Sequence, residues 1–476
     1  MANSSVGSSI IWKISERVLI QLLQLLVMIV LSKLLLPSDF GVIVMSSVFI
    51  TFALIISQSG FNTALIRKKE VSQTLLSTVY FFNFIIGAFL YMIIYFLAPY
   101  LSVFFQLDQL EIVLKILGLN IFFYNFSAIQ IVLISRALKF RKIFLANVFA
   151  VVISSAIAII MANLGYGIWS LVCQQIAYQI VSTFGLFILM KWKPTFAFSI
   201  QTLQEQFSYS WRILVANLID NAYLNYKNVL IGKFYSSTTL GLYNRGEQMP
   251  NLVVSSISGA IQSVMLPAFA KEQSNLQKVK SMARMTISLS SYIVFPIMLL
   301  LMVIADPLII FLFDENWAGT IPILQILCLY YMLVPIQTTN IQIITSLGRS
   351  DILLKLEIIK KIIAVVIISV GIFWGVKGLA IGIVLVGVIS MIINCYPVKN
   401  VLGYGLKEQL KDLLPSLLLA SVSVIVTILL KKTVSNDLVQ IMMSIIVFTL
   451  CYLVLSKLFS LKELKFISNL IKNKLK

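Results

Sequence analysis

LSKLLLPSDFGVIV, residues 31–44, aligns without a gap with IGKFYSSTTLGLYN, residues 231–244. Lys33 meets Lys233 and Gly41 meets Gly241. Further matches fall at a similar offset: Ile129-Gln130-Ile131 with Ile341-Gln342-Ile343, and the glycine turn Gly165-Tyr166-Gly167 with Gly375-Val376-Lys377-Gly378. Turn glycines and β-branched residues recur by chance in helical membrane proteins, so no single match is decisive. The shared offset carries the weight, and it corresponds to six apolar segments. An even number of crossings gives both copies one orientation. The repeat therefore predicts two bundles related by an axis along the membrane normal, an arrangement found among transporters.

The segments between these markers are apolar enough to require lipid. Of 476 residues, 59% are hydrophobic and only 12% are charged, about half the charged share of a soluble domain. A bilayer-spanning helix needs about 20 apolar residues. Fourteen stretches qualify, near 11–36, 40–64, 76–97, 112–134, 143–163, 167–190, 209–231, 239–267, 285–305, 321–345, 354–374, 378–397, 412–430 and 438–458. The expected fold is an all-α polytopic membrane protein with two six-helix bundles, 11–190 and 209–400, and two additional helices in 401–458. A short tail, 1–10, a connecting loop, 191–208, and a basic tail, 459–476, complete it. The 191–208 and 268–284 loops are basic, partly amphipathic and suited to the cytoplasmic interface. No loop is long enough for a soluble catalytic domain, so an enzyme is not expected.

Charge orients the chain. The net charge is +19. In a soluble protein such an excess suggests nucleic acid, but in a membrane protein it reflects basic cytoplasmic loops. No nucleic-acid partner is expected. With a cytoplasmic N-terminus, the inside connections and tail hold 23 Lys and Arg residues, against five outside. Arg67, Lys68 and Lys69, then Arg136, Lys139, Arg141 and Lys142, exemplify the first group. The outer group is Lys33, Lys233, Lys377, Lys431 and Lys432. Both termini are placed in the cytoplasm. The N-terminus has no basic leader followed by a short apolar core, so cleavage is not expected.

The absence of histidine excludes His-based triads, His zinc sites and His proton relays. The four cysteines stand alone in apolar runs, without metal or disulfide spacing. No cofactor or metal is expected.

Charges inside spans are costly and default to functional candidates. Lys13, Glu16 and Arg17 share one face of the first span at spacings of three and four. Arg212 opens span seven, the repeat mate of span one, and Asp220 follows near the midplane on nearly the same face. Arg245 and Glu247 lie in span eight. If spans one and seven face each other, Lys13, Arg17, Arg212 and Arg245 make a cationic cavity suited to phosphate or pyrophosphate. Snorkelling to the interface is the competing reading for Lys13 and Arg212 near helix ends. Asp220 and Glu16 are candidates for charge pairing with the opposite half, or for coupling to a H+ or Na+ gradient. Asn217, Asn221, Tyr223 and Asn225 suit either a sugar-binding wall or interhelical hydrogen bonds.

Five stretches carry a resemblance: SKLLLPSDFGVIVMSSVF at 32–49, ALIRKKE at 64–70, LIGKFYSSTTLGLYNRGEQMP at 230–250, FDENWAGTIPILQIL at 313–327 and LGRSDILL at 347–354. Over about residues 8–400 the chain resembles the polysaccharide transporter family of the MOP flippase superfamily, the Wzx-type exporters. The resemblance implies two six-helix bundles, a central cavity and alternating access in the bacterial cytoplasmic membrane. The implied substrate is an undecaprenyl-pyrophosphate-linked oligosaccharide repeat unit for capsule, exopolysaccharide or O-antigen synthesis. Membrane lipids, a polysaccharide polymerase and other assembly proteins are the implied partners. A multidrug/cation antiporter of the same superfamily is the alternative, and it predicts acidic rather than basic cavity residues.

Overall fold

A computed structural model describes residues 19–58, 60–68, 70–431 and 436–475. The tail 1–10 and the candidates Lys13, Glu16 and Arg17 lie outside the described residues. Among the described residues all regular structure is helical. By internal contacts the chain divides into two compact units, Met1–Gly241 and Leu242–Lys476.

The first unit contains α1 (Leu19–Leu34), α2 (Pro37–Gln58), α3 (Phe61–Arg67), α4 (Gln73–Phe105), α5 (Leu110–Leu117), α6 (Asn120–Arg136), α7 (Phe140–Asn163), α8 (Ile168–Met190) and α9 (Ile200–Phe234). The first turn of α10 (Ser237–Lys271) also belongs to it. The second unit continues α10 and adds α11 (Leu276–Val303), α12 (Ala305–Phe313), α13 (Thr320–Ser346), α14 (Ser350–Gly371), α15 (Gly375–Leu402), α16 (Leu406–Lys431), α17 (Asp437–Leu458) and α18 (Lys462–Leu475).

Eleven stretches among the described residues are long and apolar enough to cross a membrane. This falls short of the fourteen expected, for identifiable reasons. Asp351–Leu402 is a single stretch, but a 3-10 turn at Ile372–Trp374 divides it into α14 and α15. Leu19–Leu34 is too short as described. The charged helix α9 is not among the eleven. It also starts nine residues before the expected span, because Ser199 caps it by accepting from the Thr202 amide at 3.3 Å. The preceding extended segment is held against α4: Thr195 N–H donates to Ser77 Oγ at 3.0 Å and Trp192 Nε1 to Gln73 Oε1 at 2.8 Å. Two regions expected to be loops are also helical: α12, and the tail helix α18, whose Leu464 and Ile467 pack on a core of Tyr292, Ala420 and Phe448.

Polarity is distributed as lipid requires. On α4, Ile85, Phe89, Met92 and Phe96 recur at helical spacing and are each more than half exposed. Ser57, Asn83, Asn125 and Gln130 are instead fully buried. Ser57 Oγ donates to Asn125 Oδ1 at 3.0 Å, and Asn125 Nδ2 donates to the Asn83 carbonyl at 2.9 Å, tying α2, α6 and α4 together. Bilayer hydrocarbon supplies no hydrogen bonds, so such groups turn inward, where Ser57 and Asn125 find partners and the Asn83 side-chain amide is left without one.

The repeat seen in the sequence meets itself in space. A Cβ on Gly41 would lie 1.8 Å from the Ser237 carbonyl oxygen, and one on Gly241 would lie 1.9 Å from the Pro37 carbonyl oxygen. Positions 37 and 41 correspond to 237 and 241 under the repeat. The first turns of α2 and α10 therefore cross reciprocally, each glycine seated on the other's first carbonyl. Only glycine allows backbones this close.

In the second unit a different device joins α13 and α16. Asn340 Nδ2 donates to Gln409 Oε1 at 3.0 Å, and Gln409 Nε2 returns a bond to Asn340 Oδ1 at 2.9 Å. Both residues are fully buried. Nearby, Arg284 of α11 grips Asp412 with two bonds, Nε to Oδ2 at 2.9 Å and Nη2 to Oδ1 at 2.6 Å. The Tyr404 hydroxyl donates to the same Asp412 oxygen as Nε, at 2.8 Å. Burial, reinforced by this bond to Asp412, pushes the Tyr404 phenol well above its ordinary range.

Gly41→Ala and Gly241→Ala should each lower stability by about 2 kcal/mol, the scale of overpacking, read as a drop in the thermal unfolding midpoint of the detergent-solubilised protein. Unchanged midpoints would contradict the close crossing. Gln409→Leu should cost about 1–2 kcal/mol by orphaning the Asn340 amide, and adding Asn340→Leu should restore part of the loss. If the double variant were worse by the sum of two single losses, the amide pair would not be the cause.

Candidate functional site

Apolar spans rarely tolerate clusters of amides, and the first unit holds one. A cleft of about 410 Å³ opens among five helices. From α2 come Ser47, Thr51 and Leu54, which share a face at spacings of four and three. Asn120 and Tyr124 enter from α6, and Val151, Ser154 and Ser155 from α7. The α8 contribution is the densest: Gln174, Gln175, Tyr178 and Gln179. Gln24 of α1 completes the wall. Among the described residues fourteen line the cleft, of which eleven are polar and none is charged.

The hydroxyls at the rim are internally satisfied. Ser47 Oγ donates to the Ile43 carbonyl at 2.8 Å and Thr51 Oγ1 to the Ser47 carbonyl at 2.7 Å. Gln179 Nε2 reaches Thr183 Oγ1 at 3.3 Å. The buried Asn120 Oδ1 has no hydrogen-bond partner. No hydrogen bond engages the side-chain amides of Gln24, Gln174 and Gln175 among the described residues. An amide carries two donors and an acceptor oxygen, so the cleft offers a surplus of neutral hydrogen-bonding capacity inside an apolar bundle.

The second unit's cavities differ. One, of about 580 Å³, is lined by Asp306, Gln325, Lys431 and Gln440 with apolar neighbours. Its polar groups are engaged: Lys431 Nζ donates to the Val303 carbonyl at 2.8 Å and lies 3.7 Å from Asp306. Gln440 and Gln325 donate to the Lys431 and Met302 carbonyls. Another, of about 410 Å³, contains the paired Arg284 and Asp412. Neither presents the set of unengaged amides found in the first unit.

The sequence-derived candidates are dispersed. Arg212 and Asp220 are both exposed on α9, with the Arg212 guanidinium 5.8 Å from the Trp211 ring centroid. Neither lines the first-unit cleft. Arg245 is 5% exposed in the second unit. Its guanidinium lies over the rings of Trp317 and Phe313, at 5.1 and 5.6 Å, and donates to Gln248 Oε1 at 2.9 Å. On α9, Asn225 Nδ2 donates to Asn221 Oδ1 at 2.8 Å, and Asn228 Nδ2 to Asn225 Oδ1 at 3.3 Å, forming an asparagine ladder. Arg136, counted among the loop cations, caps the end of α3 by donating to the Leu65 and Ile66 carbonyls at 2.6 and 3.3 Å, and also to that of Lys68.

Residues 30–322 match the family described as polysaccharide biosynthesis protein. The chain belongs to that family. Among polysaccharide biosynthesis proteins it is similar to the teichuronic acid biosynthesis protein TuaB of Bacillus subtilis, 26% identical over 63% of this chain and 63% of that protein. It thus spans under two thirds of TuaB's length. It is 25% identical to the lipopolysaccharide biosynthesis protein WzxC of Escherichia coli, over 84% of this chain and 82% of that one. The succinoglycan biosynthesis transport protein ExoT of Rhizobium meliloti is 23% identical over 70% of this chain and 67% of its own. Among solved structures, the lipid II flippase MurJ in an inward closed conformation superposes with a TM-score of 0.75 at 17% identity, covering 94% of this chain and 98% of that chain. An inward-facing MATE multidrug transporter of the MOP superfamily gives 0.61 at 16% identity, covering 81% and 94%. At these identities the likeness is one of fold, and it is the MurJ/MATE-like fold that the repeat and the resemblance anticipated.

In-span charge does not mark the amide cleft, whose described lining is neutral. A signal was present: α8 is the least apolar of the eleven candidate spans, and its glutamines fall at 174, 175 and 179. In a variant whose native cysteines are replaced, Thr51→Cys or Gln175→Cys, part-exposed positions on the cleft, should react with a hydrophilic thiosulfonate, whereas Ser127→Cys, a buried position, should not. Equal protection of all three would show that the cleft is closed to water.

Proposed function

We propose that the chain moves polyprenyl-pyrophosphate-linked oligosaccharides from the inner to the outer leaflet of a bacterial cytoplasmic membrane, for capsule, exopolysaccharide or O-antigen synthesis. The observation that carries this reading is a polar, uncharged cleft with unengaged amides inside a lipid-facing bundle, in a chain of the polysaccharide biosynthesis family. The physical problem in flipping such a lipid is its head. Each hydroxyl taken into hydrocarbon without a partner costs several kcal/mol, about 4–8 on a cyclohexane scale, and a phosphate costs far more. A polar path within the protein removes that barrier while the polyprenyl chain stays in lipid.

In this mechanism the bundles alternate between inward- and outward-open states, with both termini in the cytoplasm. Lys13, Arg17 and Arg212 hold the pyrophosphate, since guanidinium gives bidentate contacts to phosphate oxygens. Arg245, covered by Trp317 and Phe313, joins them only in a state that uncovers it. Asp220 and Glu16 either balance these cations or take up H+ or Na+ to couple transport to a gradient. A polymerase and other assembly proteins receive the product at the outer leaflet.

The MATE likeness raises the rival of a multidrug/cation antiporter. That activity calls for a carboxylate against the cationic drug, and none is among the described residues that line the first-unit cleft.

Arg17→Ala and Arg212→Ala should abolish surface polysaccharide, at least tenfold by quantitative immunoblot, with membrane levels of the protein unchanged and lipid-linked intermediate accumulating. Wild-type polysaccharide in either variant would remove that residue from the mechanism. Resistance to cationic drugs on overexpression, without any polysaccharide phenotype on deletion, would favour the antiporter instead.

A further inference from the structure

We propose that the α2–α6–α7–α8 cleft is a subsite for neutral sugars and selects against sugars that carry a carboxylate. The inference rests on the transport reading above and specifies which glycans that transport accepts. Three features of the cleft point to it.

The first is the kind of polarity. A sugar hydroxyl is both donor and acceptor, and so is a primary amide. Gln174 and Gln175 on α8 and Gln24 on α1 line the same cleft, and no intramolecular bond uses these amides among the described residues. A ring of hydroxyls or an acetamido group matches them in both senses. The partnerless Asn120 Oδ1 adds an acceptor.

The second is what the lining lacks. Among the described residues, no Lys or Arg lines the cleft. Against these side chains a hexuronic acid would lose hydration and meet only neutral dipoles. Burying an ionised carboxylate without a cation is far costlier than burying a hydroxyl that finds its bond. The exclusion follows from electrostatics and needs no steric block.

The third is shape. Tyr124 and Tyr178 bring aromatic rings to the cleft, and the electron-rich faces of aromatic rings suit the polarised C–H bonds of a pyranose. The volume, about 410 Å³, lies within the roughly 300–1,000 Å³ of small-ligand sites. An acyl or polyprenyl chain would fill the same space only by stranding the amides.

The test uses full-length protein in proteoliposomes and two polyprenyl-pyrophosphate lipids. One carries a trisaccharide of hexose and N-acetylhexosamine, and the other has its middle sugar replaced by a hexuronic acid. Flipping is read by accessibility to an impermeant glycosidase. Binding of the two free trisaccharides to the purified protein is read by saturation-transfer NMR. The neutral lipid should flip at least tenfold faster. Gln175→Leu and Gln24→Leu, on separate helices, should each slow it about tenfold, the worth of one well-made hydrogen bond, and should weaken binding of the neutral trisaccharide. Gln175→Asn should retain part of the rate, and monodisperse elution of each variant shows that it folds. Equal rates for the two lipids, or glutamine variants that flip and bind like wild type, would overturn the neutral-sugar subsite while leaving the transport reading intact. Glutamine-dependent binding of the neutral trisaccharide with neither lipid moving would overturn the transport reading and keep the subsite. Neither movement nor binding would overturn both.

Discussion

Hydrocarbon offers no hydrogen bonds, and that constraint governs where most of the described polar groups of this chain are placed. A soluble domain keeps its polar side chains outside, where water satisfies them. Here the order is reversed. The α4 surface shows phenylalanine and methionine, whereas Asn125 and Ser57 sit inside and bond to one another and to the Asn83 main-chain carbonyl. The same rule applies at helix ends. Ser199 caps α9, Ser72 caps α4 through the Leu75 amide, and Arg136 collects carbonyls left open at the end of α3. The second unit follows it in its own way, through the reciprocal Asn340–Gln409 amides and the bidentate hydrogen bonds of Arg284 to Asp412.

Against that background an unsatisfied polar cluster is informative. Charges in spans draw attention first because each is costly, but cost alone does not locate a site. Arg136 and Arg284 serve as braces, and Arg245 lies against the adjacent rings of Phe313 and Trp317. Neutral amides are cheaper to bury and easily overlooked. When several converge and remain unengaged, water or a ligand must meet them. The cleft of the first unit has that character, and the cavities of the second unit, whose lysine, arginine and glutamines are engaged, do not.

The all-helical fold was legible because the lipid-facing runs are long and nearly uncharged. Spans such as α7 and α17 begin and end within a few residues of their expected limits. What blurred were the places where chemistry is local. The 3-10 turn at Ile372–Trp374 and the short helix Ala305–Phe313 depend on capping and packing rather than on apolar periodicity. The helix α9 is long but interrupted by Arg212, Asp220 and Lys227, so hydropathy understates it. For the site, the sequence singled out cations, of which Lys13 and Arg17 lie outside the described residues. The glutamines of α8 were in plain view at spacings that place them on adjoining faces. Their convergence with Gln24 and Tyr124 is a tertiary fact, and a single chain read in order does not reveal it.

The reciprocal seat of Gly41 on Ser237 and of Gly241 on Pro37 has a consequence for how such a chain can diverge. After an ancestral duplication, two copies are ordinarily free to drift apart, each change being judged only by its own surroundings. At this crossing each copy is the other's surroundings. A side chain gained on either side collides with main chain, which no substitution elsewhere can trim away. The two sites are thereby constrained to the same residue even where neighbouring positions are free to differ, and a trace of duplication can persist where the helices touch.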